Sequence, residues 1–170
     1  MQTSGYGYFL EQATRPQTIG YALLDSPVAL AAWMVDHDTD SYYKISRAFL
    51  DKQPAGHLTR DSIVDNITLY WLTGTGASAA REYWETGQAQ AQAQAGGQAP
   101  PEVAVPVGFT TFPGEIFAAP RSWVELAYPN VSYFNEVDKG GHFAAWEEPE
   151  LFASELRAAF RPLREGAAAS

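Results

Sequence analysis

Two short segments rich in β-branched residues alternate with two helical segments in the C-terminal part of the chain. The strand-like segments are residues 103–109 (VAVPVGF) and 131–137 (VSYFNEV), and helical patterns follow at 119–128 and from Pro149 onward. A strand, helix, strand order joins parallel strands through a right-handed crossover, because a hairpin can join only antiparallel strands. The sequence therefore predicts an α/β fold over residues 102–170.

Residues 1–87 show helical signals instead. Ser26 directly precedes Pro27, which predicts Ser26 as an N-cap and Pro27 as the first residue of a helix. Thr59 begins a second helical pattern, in which apolar residues recur at three- and four-residue spacing. A Gln/Ala-rich segment at residues 88–101 has no apolar periodicity and is bounded by glycine and proline. It is predicted to be a long loop that separates the two parts of the chain.

The composition limits the partners and the chemistry. The hydrophobic fraction of 46% indicates a globular chain, and the net charge of −9 argues against binding to nucleic acid or an anionic membrane. The absence of cysteine excludes disulfides, thiol catalysis and thiolate metal sites. There is neither a leader-like N-terminus nor a run of about 20 apolar residues. We therefore expect a soluble cytoplasmic protein.

Three aspartates at alternate positions, Asp36, Asp38 and Asp40, resemble the start of a calcium-binding loop. Such a loop requires glycine at its sixth position and glutamate at its twelfth. Ser41 and Arg47 stand there instead. The segment is therefore predicted to be a solvated acidic turn, and we expect neither a metal nor a cofactor.

A carboxylate and an imidazole follow the two predicted strands. Glu115 comes after the first, in TTFPGEIF, and His142 comes after the second, in DKGGHF. Ligands bind beyond the carboxyl ends of parallel strands, and neighbouring strands bring their following loops to the same edge. We therefore expect the two side chains to lie close together, where the carboxylate can hold the imidazole in one tautomer. Gly140 and Gly141 allow a tight loop, so that His142 can project into a cleft.

The segments FPGEI and KGGHFAAWEEPELF resemble the C-terminal half of an α/β-hydrolase of the microsomal epoxide hydrolase type. TRPQTIGYALLDSPVALAAW and DNITLYWLTGTGASAAREYW resemble the cap of the same family. The resemblance extends from about Tyr8 to Leu163, apart from residues 36–56 and the Gln/Ala-rich segment. It implies a mostly helical cap over residues 1–87. The last two parallel strands of an α/β-hydrolase fold, with their helices, would then occupy residues 102–170.

The resemblance implies hydrolysis of a small apolar epoxide to a vicinal diol. In that family an aspartate attacks the epoxide and forms an ester, while two cap tyrosines donate hydrogen bonds to the epoxide oxygen. A histidine oriented by an acid then activates the water that cleaves the ester. Carried over to this chain, the base is His142, the orienting acid is Glu115, and the tyrosines are Tyr83 and Tyr8, with Tyr6 as an alternative to Tyr8. A tyrosine suits the donor role because it is uncharged at neutral pH.

The nucleophilic aspartate of the family has no match in these 170 residues. Asp25 matches a motif of the cap itself, and Asp61 and Asp65 lie in a helical pattern. We therefore expect the chain to be inactive alone. Two parallel strands without neighbours leave open edges, which predicts marginal stability or dependence on a partner. That partner would be the missing N-terminal half or further copies of the chain.

Two alternatives remain open. The segment GASAA around Ser78 resembles a serine nucleophile elbow, and the order Ser78, Glu115, His142 matches a hydrolase triad, which would make a serine esterase. Too few strands precede Ser78 for that fold, and the preceding DNITLYW has a helical pattern. The second alternative is a truncated, non-catalytic binding or interaction domain that keeps the pocket wall of the family.

Overall fold

The computed structural model describes residues 6–35, 40–97 and 102–168. The chain divides into two compact units. The first contains the residues up to Pro54 and those from Leu58 to Pro100, and the second contains Ala55–His57 and the residues from Pro101 onward. The elements in chain order are α1 (Gly7–Thr14), α2 (Pro16–Asp25), α3 (Pro27–Val35), α4 (Asp40–Leu50), α5 (Arg60–Thr73), α6 (Gly76–Ala95), β1 (Val107–Thr111), α7 (Arg121–Ala127), β2 (Val131–Glu136), α8 (Ala144–Glu147) and α9 (Pro149–Ala168).

Two helices of the first unit, α3 and α5, begin at residues that the sequence marks as helix starts. At the start of α3, Ser26 Oγ accepts a hydrogen bond from the Ala29 N–H at 3.3 Å, which confirms the predicted N-cap. At the start of α5, Thr59 Oγ1 accepts from the Ser62 N–H at 3.1 Å, and Ser62 Oγ accepts from the Thr59 N–H at 3.0 Å. This reciprocal capping box satisfies two backbone donors, and a single cap contributes about 1 kcal/mol to helix stability.

Small residues let α2 and α6 pack closely. A Cβ added at Gly20 of α2 would lie 3.3 Å from the Ala77 Cβ, and one added at Gly76 of α6 would lie 3.0 Å from the Leu23 Cβ. Leu23 and Leu30 are almost fully buried in this unit. Because burying one leucine side chain contributes about 1.5–3 kcal/mol, the burial of Leu23 and Leu30 stabilises the packed helices.

The Gln/Ala-rich segment is helical over most of its length. Residues 88–95 continue α6, and the helix ends at Gly96, followed by Gly97 with a φ of 67°. The prediction of a loop over residues 88–101 is therefore wrong for residues 88–95, which are helical. Glutamine and alanine are strong helix formers, and they extend a helix that the preceding residues have already nucleated, even without an apolar face.

The second unit contains β1 and β2 paired in parallel, as the strand, helix, strand order predicts. Val107 pairs with Val131 at one end of the ladder, and Thr111 pairs with Glu136 at the other. The first strand begins at Val107, later than the predicted residue 103. Pro106 accounts for the difference, because proline has no N–H to donate to a strand ladder.

The Glu155 side chain ties α9 to both strands. Its carboxylate accepts hydrogen bonds from Thr110 Oγ1 at 3.0 Å, Tyr133 Oη at 2.9 Å and Asn135 Nδ2 at 3.1 Å. Hydrogen bonds to an ionised acceptor are stronger than those between neutral groups. The register of α9 on the sheet is therefore fixed by one half-buried carboxylate as well as by apolar packing.

This cluster predicts a loss of stability at alkaline pH. Desolvation raises the pKa of Tyr133 above the ordinary 10.0, and the hydrogen bond and negative charge of Glu155 raise it further. Because the folded-state pKa is the higher one, the stability contributed by the protonated phenol is complete below pH 10.0 and is lost as the pH rises through the folded-state value. We expect the difference in unfolding free energy between the unsubstituted chain and Tyr133→Phe to stay constant below pH 10.0 and to shrink as the pH rises above it.

Urea denaturation followed by circular dichroism measures this difference at each pH. The Glu155→Gln variant is the matched control, because it removes the charge that raises the pKa of Tyr133 and should weaken the pH dependence. A difference that stays constant over the whole range would contradict the prediction.

Candidate active site

The loops that follow β1 and β2 are joined to each other at one edge of the sheet. The Gly114 N–H donates to the Gly140 carbonyl at 2.9 Å, and Gly114 forms a parallel bridge with Gly141. These contacts continue the pairing past the strand ends and bring the next residue of each loop together. His142 Nδ1 lies 2.8 Å from Glu115 Oε1, which confirms the predicted proximity of the two side chains.

The imidazole of His142 is oriented by this carboxylate. Glu115 Oε1 also accepts the N–H of Ile116 at 2.6 Å, which restrains the oxygen that faces the imidazole. With Nδ1 donating to a carboxylate, the neutral ring carries its lone pair on Nε2, the geometry of a general base. The two side chains are 40% and 31% exposed, so solvent reaches both of them.

Gly140 makes the turn before His142 possible. Its φ of 96° is unfavourable for residues with a side chain, and an added Cβ would lie only 2.8 Å from Phe112 Cδ1. Gly141 is buried at the bridge and does not share the positive φ. Of the two glycines predicted to shape this loop, Gly140 therefore supplies the unusual backbone conformation.

His142 and Glu115 line an open cleft of about 460 Å³. The ring of His142 meets that of Phe143 edge to face, with centroids 5.0 Å apart. The apolar walls come from four aromatic side chains, namely Phe112, Phe143, Trp146 and Phe152. A cleft with aromatic walls and one polar pair is typical of a site for a small apolar molecule.

Tyr8 and Tyr83 contact each other in the first unit. Their ring centroids are 6.1 Å apart with an interplanar angle of 82°, whereas Tyr6 stacks on Phe9 at 4.8 Å. Desolvation raises the pKa of Tyr8 above 10.0, and the nearby Tyr83 and Tyr6 raise it further. Tyr8 is therefore a protonated hydrogen-bond donor at neutral pH.

Ser78 does not occupy a nucleophile elbow. It lies within the first turn of α6, its Oγ donates to the Thr75 carbonyl at 3.0 Å, and the preceding element is the helix α5. An elbow places the serine on a sharp turn between a strand and a helix. The serine esterase alternative therefore lacks its structural basis in this chain.

The described residues show neither a metal site nor a membrane span. Within them, no group of three or more His, Asp or Glu side chains could hold a metal ion. The acidic triplet lies outside this part of the chain, since Asp36, Asp38 and the side chain of Asp40 are not described. None of the helices in residues 6–35, 40–97 and 102–168 is long and apolar enough to cross a membrane.

No aspartate in the described ranges occupies a sharp strand-to-helix turn. Asp25 ends α2, and Asp61 and Asp65 lie within α5. Asp138 follows β2, but it lies in the longer loop that carries His142.

The chain is similar to epoxide hydrolases over nearly its whole length. It is 48% identical over 164 residues to a protein of Stigmatella aurantiaca that is provisionally named an epoxide hydrolase, and 39% identical over 158 residues to epoxide hydrolase 1 of Sus scrofa. In sequence and in fold, the chain matches one part of the epoxide hydrolases, which are α/β-hydrolases. These matches cover 95% and 92% of the chain, but only 34% of each relative, so the chain spans about a third of their length.

Solved structures of epoxide hydrolases share the fold. The Aspergillus niger enzyme matches with a TM-score of 0.70 at 30% identity, over 95% of this chain and 37% of that one. Juvenile hormone epoxide hydrolase of Bombyx mori matches with a TM-score of 0.74 at 26% identity, over 94% and 40%. No family model matches the chain. The predicted fold class, a helical cap followed by the C-terminal part of an α/β-hydrolase, is confirmed.

Glu147, in the short helix after His142, and Gly56, which lies against the Glu147 carbonyl, were not identified from the sequence. Glu147 is only 2% exposed, and Gly56 belongs to the second unit although its flanking helices belong to the first. Glu147 lies one helical turn after Phe143. That spacing is visible in the sequence and is compatible with a capping contact at the start of a helix. No local pattern marks Gly56, because its neighbours in space are distant in sequence.

Proposed function

We propose that this chain supplies the cap and the water-activating base of an epoxide hydrolase, which converts an apolar epoxide and water to a vicinal diol through an aspartyl ester. The observation that carries the proposal is the 2.8 Å contact between His142 Nδ1 and Glu115 Oε1 in an aromatic cleft. The names of the relatives support the reaction class. That the protein acts in the cytoplasm stays a prediction.

The proposed reaction has two steps. A carboxylate attacks one epoxide carbon, the C–O bond breaks, and the epoxide oxygen takes a proton from Tyr8 or Tyr83, which leaves an ester and a hydroxyl group. His142 Nε2 then takes a proton from water while the water oxygen attacks the ester carbonyl. Collapse of that adduct releases the diol and restores the carboxylate. Glu115 stabilises the imidazolium, and solvent carries its proton back to the tyrosinate.

The carboxylate nucleophile comes, in this proposal, from outside these 170 residues. It belongs either to a further part of the same polypeptide or to a second chain, since roughly two thirds of each relative's length lies outside the part that this chain matches. The competing proposal is a domain that binds an epoxide or diol without turning it over.

Complementation distinguishes these two proposals. The purified 170-residue chain is mixed with the part of the Stigmatella aurantiaca relative that it does not match, and diol formation from styrene oxide is measured by chromatography. We expect no diol above background from either component alone, and catalytic turnover from the mixture. Binding of the epoxide by the mixture without turnover would favour the non-catalytic domain. Diol formation by the isolated chain, abolished by His142→Ala, would contradict the need for an outside carboxylate.

A further inference from the structure

Glu147 is a buried carboxylate in the short helix that follows His142. Its side chain is among those almost completely removed from solvent, at 2% exposure. Glu147 Oε1 accepts the N–H of Phe143 at 3.2 Å, and the Glu147 N–H donates to the Phe143 carbonyl at 2.8 Å. Phe143 is the residue directly after His142 and the N-cap of α8. One glutamate therefore holds both peptide groups of Phe143, including the one that Phe143 shares with His142.

A buried carboxylate is a costly way to stabilise a fold. Removing a charge from water is unfavourable, and well-packed apolar side chains often stabilise a core as well as or better than a buried charged group. What the carboxylate provides is directional: its oxygen accepts one particular N–H and so fixes the orientation of one peptide plane. That plane sets the direction in which the His142 side chain leaves the backbone.

The other side of the His142 loop is fixed by main-chain contacts. On the N-terminal side of His142, the Gly140 carbonyl accepts a hydrogen bond from the Gly114 N–H. On the C-terminal side, Glu147 accepts one from the Phe143 N–H. The imidazole thus lies between two restrained peptide groups. Its 2.8 Å contact with Glu115 depends on both restraints, because a hydrogen bond weakens steeply when its angle or length departs from the optimum.

Gly56 covers the end of α8 at very close range. Its φ is 57°, and an added Cβ would lie 1.6 Å from the carbonyl oxygen of Glu147 and 2.7 Å from its carbonyl carbon. The nearby His57 Nε2 lies 3.8 Å from Glu150 Oε1, at the start of α9. The segment Ala55–His57 therefore packs against the helical segment after His142, and only glycine fits at its centre.

We propose that Glu147 and Gly56 are positioning residues for His142. They hold the His142–Phe143 peptide so that Nδ1 faces Glu115 and the lone pair of the neutral ring stays on Nε2. Neither residue touches the reacting atoms. The inference rests on the proposed role of His142 as the base, but its direct consequence, the tautomer of one imidazole, is measurable without turnover.

Nitrogen-15 NMR of the 170-residue chain reports that tautomer. Spectra are recorded at about pH 9, where ordinary imidazoles are neutral, and the His142 signals are assigned with His142→Gln. We expect the Nδ1–H tautomer to dominate in the unsubstituted chain. Glu147→Gln keeps an oxygen acceptor at Oε1 and should therefore preserve the Nδ1–H tautomer of His142. In Glu147→Leu and Gly56→Ala, we expect the ratio of the Nδ1–H to the Nε2–H tautomer to fall about tenfold. This is the effect expected when the hydrogen bond from His142 Nδ1 to the Glu115 carboxylate is lost.

Glu148→Leu is the matched control, because Glu148 pairs with Lys139 at 2.7 Å and its replacement should leave the tautomer ratio unchanged. Glu147→Asp covers the case in which Glu147→Leu fails to fold by circular dichroism, since the shorter side chain retracts its carboxylate from Phe143. An unchanged ratio in folded Glu147→Asp and Gly56→Ala would overturn the inference, as would a dominant Nε2–H tautomer in the unsubstituted chain. Failure of the complementation assay with these ratios as expected would count against the proposed function alone.

Discussion

Replacing His142 by glutamine is expected to leave ester formation intact and to stop ester hydrolysis. In the proposed mechanism, the first step uses a carboxylate and a phenol, whereas the second requires a base that takes a proton from water. A positioned general base contributes about 10²–10⁴-fold to such a step, and glutamine cannot take up a proton at neutral pH. In the complemented mixture, the His142→Gln variant should therefore consume one equivalent of epoxide and then stop.

Intact mass spectrometry detects the trapped ester. After incubation with styrene oxide, the nucleophile-bearing component should carry the added mass of one substrate molecule in the His142→Gln mixture and little of it in the unsubstituted one. His57→Gln is the matched control, because His57 is a largely exposed histidine that lies 3.8 Å from Glu150 and does not line the cleft of His142. Glu115→Gln should give an intermediate rate, since it keeps an acceptor near Nδ1 but loses the charge. Full turnover by His142→Gln would remove His142 from the mechanism.

Replacing Tyr8 and Tyr83 together by phenylalanine is expected to prevent ester formation. Epoxide opening places negative charge on the departing oxygen, and in the proposed mechanism the two phenols donate hydrogen bonds that stabilise it. Loss of one such donor costs about 10²–10³-fold in rate, so each single variant should slow ester formation by about 10²-fold or more. The double variant should fall further, because no donor then remains. Phenylalanine preserves the edge-to-face ring contact at 6.1 Å, so the helical packing should survive.

Tyr6→Phe is the matched control for this pair, and it also decides between the two candidates for the first donor. Tyr6 stacks on Phe9, whereas Tyr8 contacts Tyr83, so the geometry favours Tyr8. Single-turnover measurement of ester mass against time gives the rate for each variant. A normal rate in Tyr8→Phe together with a slow one in Tyr6→Phe would reassign the donor. Normal rates in both Tyr8→Phe and Tyr83→Phe would contradict the proposed role of the pair.

The sequence predicted those parts of the fold that depend on neighbouring residues or on the order of strands and helices. Ser26 and Thr59 cap helices that start at the next residue, so the signal and the structure lie side by side. The proximity of Glu115 and His142 follows from a general rule, since parallel neighbouring strands place their following loops at one edge. Neither prediction required knowledge of long-range packing.

The parts that were missed depend on context that a local pattern does not carry. Residues 88–95 lack an apolar face, yet they continue a helix whose formation the preceding residues determine. The position of Gly56 against Glu147 joins segments that are far apart in the chain. The pairing of Tyr8 with Tyr83 could not be selected by composition among nine tyrosines, and only the resemblance to a family pointed to it.

The assignment of Ala55–His57 to the second unit has a consequence for recombining members of this family. The polypeptide passes out of the helical unit after Pro54, returns to it at Leu58 and leaves it again at Pro100. A cap transplanted as one continuous cassette would therefore bring the other parent's residue at position 56 against the Glu147 carbonyl, where only glycine fits. Chimeric enzymes should keep residues 55–57 from the parent that contributes the histidine loop, and exchange the flanking segments as two separate pieces.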